Sequence, residues 1–464
     1  MSRVLGSTFV GESWNTWRTV LKAAHALPVT EDERAMLERL TGRETLLDVP
    51  CRELWLLLGR RSGKSIIAAL LAIYATTCRS YALAPGEVGV FMVIAADRKQ
   101  ARVIKRYVSG LLRSHPSLEV LVEKETAEAI WLTNGLCIEI HTCSFRSLRG
   151  YTVIGAACDE IAFWDDDDSA NPDREVLIAL RAAMASVPDA MLVALTSVYA
   201  RRGEVWRTFE KHFGRPSTDV FVVNGATTTM NPTITQRLID AAYEDDPIAA
   251  AAEYGAEFRR DVEVFLPPEE LDAVRIVGRF ELPFAEAHRS RYVAFVDPAG
   301  GTGHDSMTMA IAHDANGRAV LDLVREVKPP FSPEATVAEF AAVLKAFQLS
   351  TATSDRYAGS WPTEAFRKVG ITVEPSTRTK SEIYQAVLPQ VMSGSCELLD
   401  HARQLKQLGA LERRTARGGK NSIDHAPRQH DDVANAAAGA LVLVVLRPVG
   451  FDWREAGMTS EATW

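Results

Sequence analysis

The chain has 464 residues, enough for two or three domains, and its 47% hydrophobic and 24% charged residues are typical of a globular protein. The longest apolar run, Ala436 to Leu446, is too short to span a bilayer, and the N-terminus lacks the basic and then apolar pattern of a signal peptide. We therefore expect a cytoplasmic protein without membrane association. The six cysteines include no C-x-x-C pair, which argues against a disulfide framework or a cysteine zinc site. Because the formal net charge is -8, a nucleic-acid surface would have to be a local basic patch.

The first motif lies between Leu54 and Ser65. An apolar run there ends in a turn rich in glycine and basic residues, and the apolar segment Ile66 to Thr77 predicts a buried helix. A strand, tight loop and helix in this order cradle phosphates with backbone N–H groups, while Lys64 meets the outer phosphates and the Ser65 hydroxyl binds Mg2+. The P-loop is a variant, since its first glycine, Gly59, comes one place late. A basic turn before a core helix is the alternative.

The chain downstream alternates predicted strands and helices. These are a strand at Val88 to Ala95, a helix at Arg98 to Leu112, and a hairpin of Ala129 to Leu132 with Cys137 to Thr142. The alternation is typical of an α/β sheet with helices on its faces. Residues 1–50 look helical and polar, with a helix start at Thr30, and we include them in the first domain as an N-terminal extension.

A second motif follows at Val153 to Glu160, an apolar strand that ends in two carboxylates. At the sheet edge where the P-loop opens, Asp159 would hold Mg2+ through water, and Glu160 would orient and deprotonate the attacking water. A strand that merely ends in Asp-Glu is common, but the P-loop upstream favours catalysis. The next predicted strand, Ala190 to Thr196, places the hydroxyls of Thr196 and Ser197 where they could sense the γ-phosphate, or it simply ends in polar residues.

Arginines near the phosphates are a further expectation. Arg60 and Arg61 lie in the loop itself, where a guanidinium could neutralise charge on the transferring group. Four other arginines are candidates for this task, within the chain or in a neighbouring subunit, although solvated loop arginines are the usual case: Arg98, Arg102, Arg146 and Arg149.

A change of composition around Asp261 to Pro283 predicts a domain boundary. We expect a first domain at 1–262, a linker at 263–287 and a second domain at 288–464. The second domain begins with three predicted strands, at Tyr292 to Asp297, Met307 to His313 and Ala319 to Val327, followed by alternating helices and strands. This order is that of a ribonuclease H-like domain.

The chemistry of that fold needs carboxylates from distant parts of the chain to converge on two divalent ions. Asp297 at the end of the first strand, Asp355 at the end of the fourth and Asp432 at the head of the last helix fit this demand. Each alone could be a turn residue, a strand end or a helix-dipole charge. Asp431 competes with Asp432 for the third place. Asp305 and Asn435 are candidate supplementary ligands, and His430 could assist in proton transfer or simply cap the helix.

A basic run lies between Arg403 and Arg428, where seven basic and two acidic residues give a local charge of +5. A basic hairpin beside an acidic metal site would hold the phosphate backbone of DNA without reading its bases, although a solvated loop is the alternative. The candidate DNA-binding residues are Arg413, Arg414, Arg417 and Lys420.

The six motifs together resemble the large terminase subunit of tailed double-stranded DNA bacteriophages. In the first half, the resemblance rests on GRRSGKS at Gly59 to Ser65, CDE at Cys158 to Glu160, and Thr196-Ser197. In the second half, it rests on three further motifs: VDPAGG at Val296 to Gly301, SDRYAG at Ser354 to Gly359 and HDDVANA at His430 to Ala436.

This resemblance implies a fold and a set of roles. The fold is a RecA-like (ASCE) P-loop ATPase domain followed by a ribonuclease H-like nuclease domain. The implied ATP-binding residues are Gly59, Arg60, Arg61, Ser62, Gly63, Lys64, Ser65 and Asp159, with Arg60 on the γ-phosphate. Glu160 is the implied catalytic base, and Thr196 and Ser197 form the coupling motif. The implied nuclease metal ligands are Asp297, Asp355 and Asp432. Relatives often have an acidic residue where this chain has Asn435, and the adenine-binding residues remain unassigned.

The resemblance also implies a function. ATP and Mg2+, with Mn2+ as a substitute in the nuclease, would serve translocation of viral double-stranded DNA into a procapsid and endonucleolytic cleavage of the concatemeric genome. The implied partners are DNA, the portal protein, the small terminase subunit and further copies of the chain in a ring, expected to be a pentamer, at the portal vertex in the bacterial host cytoplasm. Two alternatives are a recombination or repair ATPase with a junction-cleaving nuclease, and an adaptor protein whose motifs are relics.

Overall fold

The computed structural model describes residues 5–144, 148, 150–164, 172–259, 261–303, 305–356, 361–415, 421–426 and 429–446. Four candidate site residues from the sequence lie outside these ranges: Arg146, Arg149, Arg417 and Lys420. The chain divides into two compact units, Met1–Glu263 and Val264–Trp464. Each unit is described by itself.

The first unit is built on an eight-stranded sheet. Its strands are β1 (Glu53–Leu58), β2 (Gly89–Ala95), β3 (Val122–Glu125), β4 (Ala129–Leu132), β5 (Cys137–Thr142), β6 (Thr152–Asp159), β7 (Met191–Thr196) and β8 (Val220–Gly225). They lie in the order β3-β4-β5-β2-β6-β7-β1-β8, and the six from β5 to β8 in this order run parallel. Strand β7 therefore separates the P-loop strand β1 from the acidic strand β6, the arrangement of RecA-like ATPases.

Helices accompany this sheet. They are α1 (Asn15–Ala24), α2 (Glu31–Thr41), α3 (Lys64–Thr77), α4 (Arg98–Arg113), α5 (Pro116–Glu119), α6 (Pro172–Ala183), α7 (Gly203–His212), α8 (Thr227–Met230), α9 (Gln236–Asp245) and α10 (Pro247–Glu253). Helix α2 begins where the sequence predicts, because Thr30 and Glu33 form a reciprocal capping box. Residues Leu54 to Leu58 of β1 are completely buried, as a central parallel strand requires.

The second unit is built on a six-stranded sheet. Its strands are β10 (Tyr292–Asp297), β11 (Met307–Asp314), β12 (Ala319–Val327), β13 (Thr351–Ser354), β14 (Thr372–Pro375) and β15 (Cys396–Glu397). Their order is β14-β13-β10-β11-β12-β15, in which β11 runs antiparallel to both β10 and β12, and β13 runs parallel to β10. A separate antiparallel hairpin is formed by β16 (Leu411–Thr415) and β17 (Asn421–His425), and the short strand β9 (Val262–Val264) spans the boundary between the units in the sequence.

Six helices complete the second unit: α11 (Pro268–Val274), α12 (Pro333–Ala346), α13 (Trp361–Lys368), α14 (Lys380–Met392), α15 (Ala402–Gly409) and α16 (Asp432–Leu446). Side chains of β10 alternate between two cores. Phe295 packs with α14 and α16, whereas Ala294 and Val296 pack with α12 and α13. Helix α16 is apolar and buried along most of its length, and it crosses the sheet where Gly439 allows contact with the Phe295 ring.

The predicted fold class is confirmed: a P-loop α/β unit precedes a unit with three antiparallel strands followed by alternating helices and strands, as in ribonuclease H. Within residues 263–287, which we expect from sequence to form a linker, the structure contains α11, and Phe265, Leu266, Leu271 and Val274 pack into the core of the second unit. None of the helices in the described ranges combines the length and apolar character of a membrane span.

Candidate active sites

The loop that the sequence predicts to bind phosphate joins β1 to α3. Gly63 adopts the left-handed conformation, with φ of 95°, immediately before Lys64 begins the helix. The Lys64 side chain is buried, and its Nζ donates hydrogen bonds to the Leu58 carbonyl at 2.8 Å and to Ser197 Oγ at 3.2 Å. Burial lowers the pKa of Lys64, while the nearby carboxylate of Glu160 opposes this shift. The ammonium group thus lies at the helix N-terminus, close to the end of β7.

Glu160 is held between this lysine and strand β7. Its Oε1 lies 3.9 Å from Lys64 Nζ, and its Oε2 accepts hydrogen bonds from the Ser197 backbone N–H at 3.1 Å and the Thr196 hydroxyl at 3.3 Å. Glu160 directly follows β6 and has a φ of 50°, a left-handed backbone conformation that is unfavourable for residues other than glycine. This backbone turn directs the Glu160 side chain away from the strand and toward the end of β7.

Asp159, the last residue of β6, is 5% exposed. Burial and the charge of Glu160 raise its pKa to about 7, against a weak hydrogen bond from Gln100 Nε2 at 3.4 Å and the attraction of Lys64. The indole N–H of Trp164 donates to the Asp159 carbonyl at 2.8 Å and fixes the backbone there. A divalent cation favours an ionised carboxylate, so Asp159 could serve as a ligand if a cation and a nucleotide bind here.

Arg60 makes a contact that sequence reasoning missed. Its Nε lies 2.8 Å from Glu253 Oε2, and its backbone N–H donates to the Glu253 carbonyl at 2.6 Å. The loop is bound further by Thr227 Oγ1, which donates to the Arg60 carbonyl at 2.7 Å, and by Asn231 Nδ2, which donates to the Arg61 carbonyl at 2.8 Å. The segment from α8 to α10 therefore supports the loop, and Arg60 is paired with it.

Two tryptophans of the N-terminal region also approach the loop. The buried Trp17 donates its indole N–H to the Ser62 carbonyl at 2.7 Å, and a side chain at Gly63 would lie 3.6 Å from the Trp14 ring. No sequence pattern connects these residues with the P-loop, since they lie more than forty positions upstream. They account for part of the close packing around Gly63.

The second candidate site lies at the C-terminal ends of β10 and β13. Asn435, on the first turn of α16, donates from Nδ2 to Asp297 Oδ2 at 2.9 Å and to Asp355 Oδ2 at 3.0 Å. Asp355 is 8% exposed and Asn435 only 1% exposed. The topology thus brings together two aspartates from the first and fourth strands, as the sequence analysis predicts, with one amide bridging them.

Asp431 and Asp432 face different neighbours. Asp431 accepts a hydrogen bond from the Tyr384 hydroxyl at 2.8 Å and lies 3.0 Å from Lys380 Nζ. Asp432 Oδ2 accepts the Ser306 backbone N–H at 2.8 Å. Asp431 is therefore paired with a lysine, whereas Asp432 is held by a backbone amide; which of them is the third carboxylate remains a prediction.

The pKa values of this cluster reflect burial and mutual repulsion. Burial raises the pKa of Asp297 well above its usual value; the hydrogen bond from Asn435 opposes the rise, and the charges of Asp432, Asp355 and Asp431 add to it. Burial likewise raises the pKa of Asp432 to about 6. Such a set of oxygen ligands fits Mg2+ or Mn2+, since a divalent cation would offset the repulsion.

Asp305 and His430 lie at the edge of this cluster. His430 Nδ1 is 3.2 Å from Asp305 Oδ1, and each of the two offers a ligand atom within 4.8 Å of the other and of Asp432. The Asp305 side chain is 72% exposed. A supplementary ligand role remains a prediction for Asp305, and a proton-transfer or helix-capping role remains a prediction for His430.

The basic hairpin forms as expected, but its two described arginines have partners within the fold. Arg414 Nη2 donates to the His425 carbonyl at 2.8 Å and to the buried Glu412 at 3.2 Å. The Arg413 guanidinium lies 5.5 Å from the centre of the Phe265 ring. Arg414 thus joins the two strands of the hairpin, whereas Arg413 lies against Phe265 outside it.

Two of the arginine candidates of the first unit are likewise paired. Arg98 forms an ion pair with Glu128, and Arg102 lies 4.0 Å from the same carboxylate. No contact links either of them to the P-loop within the described parts of the chain.

No protein-family model and no curated protein matches the sequence. Among solved structures, the large terminase of bacteriophage HK97 is similar at 12% identity and a TM-score of 0.38, with 92% of this chain and 99% of that chain covered. A large terminase from a thermophilic bacteriophage is similar at 10% identity and a TM-score of 0.40, with 93% and 98% covered. The large terminase nuclease of the thermophilic phage G20c covers 37% of this chain and 94% of its own at 15% identity and a TM-score of 0.33. Each of these three solved structures is a bacteriophage large terminase or the nuclease of one.

Proposed function

We propose that the chain is a large terminase subunit, in which the first unit hydrolyses ATP to translocate double-stranded DNA into a procapsid and the second unit cleaves that DNA with divalent metal ions. The observation that carries the proposal is the Asn435 amide that joins Asp297 and Asp355 in a ribonuclease H-like unit, with the charge of Asp432 acting on Asp297. The other unit of the same chain holds Glu160 beside the P-loop lysine.

In the first unit, the backbone of Gly59 to Ser65 and the Lys64 ammonium would bind the phosphates. Ser65 and, through water, Asp159 would hold the magnesium ion, which supplies positive charge to the phosphates when bound. Glu160 would orient the attacking water and accept its proton. The hydrogen bonds from Thr196 and Ser197 keep one Glu160 oxygen fixed, so the other is presented toward the nucleotide.

In the second unit, Asp297, Asp355 and Asp432 would hold the divalent ions, with Asp305 and His430 at the edge. The ions supply positive charge to the scissile phosphate and lower the pKa of bound water. Lys380 and Tyr384 neutralise and orient Asp431, which keeps the start of α16 in place beside the sheet.

A packaging role also requires contacts with DNA and with other proteins. DNA contact is assigned to the basic run that includes Arg413, Arg414, Arg417 and Lys420. Because phosphates would compete with the intramolecular partners of Arg413 and Arg414, such contacts would be weak and salt-sensitive and could form and release repeatedly. A ring of copies at the portal vertex, the portal protein and the small terminase subunit complete the proposed assembly.

Plasmid cleavage tests the nuclease assignment. We expect nicking or linearisation by the full chain with Mg2+ or Mn2+, loss of cleavage in EDTA, and a loss of at least about a hundredfold in Asp297→Ala and Asp355→Ala. The matched control is Asp272→Ala, because this aspartate has a 63% exposed side chain and pairs only with Arg275 among the described residues. Cleavage that persists in both site variants would refute the assignment.

ATP turnover tests the first unit. Replacing a general base costs about 10²- to 10⁴-fold, so Glu160→Gln should reduce kcat by that factor while nucleotide binding is retained. Equal phosphate release from wild type and variant would refute the assignment.

Preferential cutting of four-way junctions over linear duplex would instead support the recombination enzyme.

A further inference from the structure

Asn435 occupies an unusual position in the second site. Its Nδ2 donates to one oxygen of Asp297 and one oxygen of Asp355, so a single amide group satisfies two carboxylates from different strands. The residue is fixed on α16 by a backbone hydrogen bond from its own N–H to the Asp431 carbonyl at 2.7 Å. The bridge therefore connects the helix to both strands that carry the aspartates.

The orientation of the amide follows from these contacts. In the reversed orientation, Oδ1 would lie 2.9 and 3.0 Å from two carboxylate oxygens, acceptor against acceptor. In the orientation present, the buried Oδ1 has no hydrogen-bond partner among the described residues. Leaving a buried amide oxygen unsatisfied is costly, so the two contacts of Nδ2 must compensate for it.

We propose that Asn435 is a positioning residue that holds Asp297 and Asp355 together before metal binds. Two buried carboxylates at this separation repel each other, and a neutral double donor offsets that repulsion without adding charge. An aspartate at this position would add a further negative charge and remove both donors. This inference rests on the proposed nuclease function and assigns a role to a residue that contacts the ligands.

The first test measures stability without metal. In EDTA, Asn435→Asp should lower the melting temperature of the full chain by about 3–8 °C, because repulsion is added and two hydrogen bonds are lost. The double variant Asp297→Asn with Asn435→Asp restores a donor–acceptor pair between positions 297 and 435, whereas the new carboxylate still faces Asp355, so it should recover part of that loss. Recovery depends on the contact itself and would not occur if Asn435 merely filled space.

The second test titrates Mn2+ by calorimetry. Asn435→Leu, which keeps a similar volume but has no donor, should bind Mn2+ about tenfold or more weakly than wild type, since the two aspartates are no longer held in place. Asn435→Asp, with its additional ligand charge, should bind at least as tightly as wild type. Asn224→Asp serves as control, because this asparagine lies in the first unit and, among the described residues, donates to the carbonyls of Leu57 and Ala256.

The outcomes separate the two proposals. If the double variant loses as much stability as the two single variants together, or if Asn435→Leu binds Mn2+ like wild type, the positioning role is refuted. If wild type binds no Mn2+, the nuclease proposal fails, and the comparison in EDTA alone decides whether Asn435 holds the two aspartates together.

Discussion

The hydrogen bond between Thr196 and Glu160 offers a sharp test of the first site. Thr196→Val preserves the shape of the side chain and removes the hydroxyl, which lies 3.3 Å from Glu160 Oε2 and 2.8 Å from the Ser197 carbonyl. The Ser197 backbone N–H still holds the same Glu160 oxygen at 3.1 Å. The variant therefore loosens the proposed base without removing it.

The expected magnitude follows from these contacts. A hydrogen bond to a charged group contributes about 1.5–3 kcal/mol, and the lower end applies because one hydroxyl proton is shared between two acceptors. Since about 1.4 kcal/mol corresponds to a factor of ten in rate, kcat for ATP hydrolysis should fall by about tenfold with little change in KM. Steady-state phosphate release over a range of ATP concentrations measures both constants.

A matched control separates this effect from general loss of a buried hydroxyl. Thr76→Val makes the same change in α3, where the completely buried Thr76 hydroxyl donates to the Ala72 carbonyl at 2.8 Å and has no contact with Glu160. Its kcat should stay within about twofold of wild type. A tenfold loss in both variants, or in neither, would contradict the proposal that Thr196 orients Glu160.

Two further changes test packing and charge. Glu253→Gln removes the charged partner of the half-exposed Arg60 and makes Arg60 available to the phosphates. Because such ion pairs contribute at most about 1 kcal/mol, KM for ATP should fall by no more than about fivefold. An increase in KM would show that the ion pair supports ATP binding. Gly439→Ala would place a Cβ 2.4 Å from the Phe295 ring, and the overpacking, about 1–3 kcal/mol, should lower the melting temperature. Gly110→Ala, with open space around its Cβ, should raise the melting temperature slightly because alanine has a better helix propensity than glycine. Equal shifts in the melting temperatures of both variants would contradict this account.

Much of the fold can be predicted from sequence because its signals are local. The apolar run Val153 to Glu160 predicts a strand that differs by one residue from the observed Thr152–Asp159, and the capping residues of α2 mark its start correctly. The order of strands and helices along the chain can also be predicted from sequence. Three strands before an alternating region are characteristic of the ribonuclease H topology. Such signals depend on neighbours in the chain and not on tertiary contacts.

The remaining parts of both sites depend on contacts between distant residues. Glu253 lies almost two hundred positions from Arg60, and no pattern in the sequence indicates that they pair. The left-handed backbone of Glu160 is also unpredictable, since an isolated apolar strand ending in Asp-Glu favours an extended conformation there. Asn435 was recognisable as a candidate ligand, but its role as a double donor follows only from the positions of both aspartates.

The late glycine of the P-loop illustrates why a departure from a pattern can be a structural requirement. The residue at the usual position, Leu58, is the last of β1 and is completely buried, so the sheet core uses its side chain. At Gly59, a Cβ would lie 2.3 Å from Thr227 Oγ1 and 2.6 Å from the Tyr254 carbonyl oxygen, closer than any side chain permits. The glycine is thus required where the segment from α8 to α10 approaches the loop, and not where the phosphate pattern alone would place it. Because this segment also carries Glu253, the same close approach that demands Gly59 brings the partner of Arg60 to the loop that the sequence predicts to bind the nucleotide.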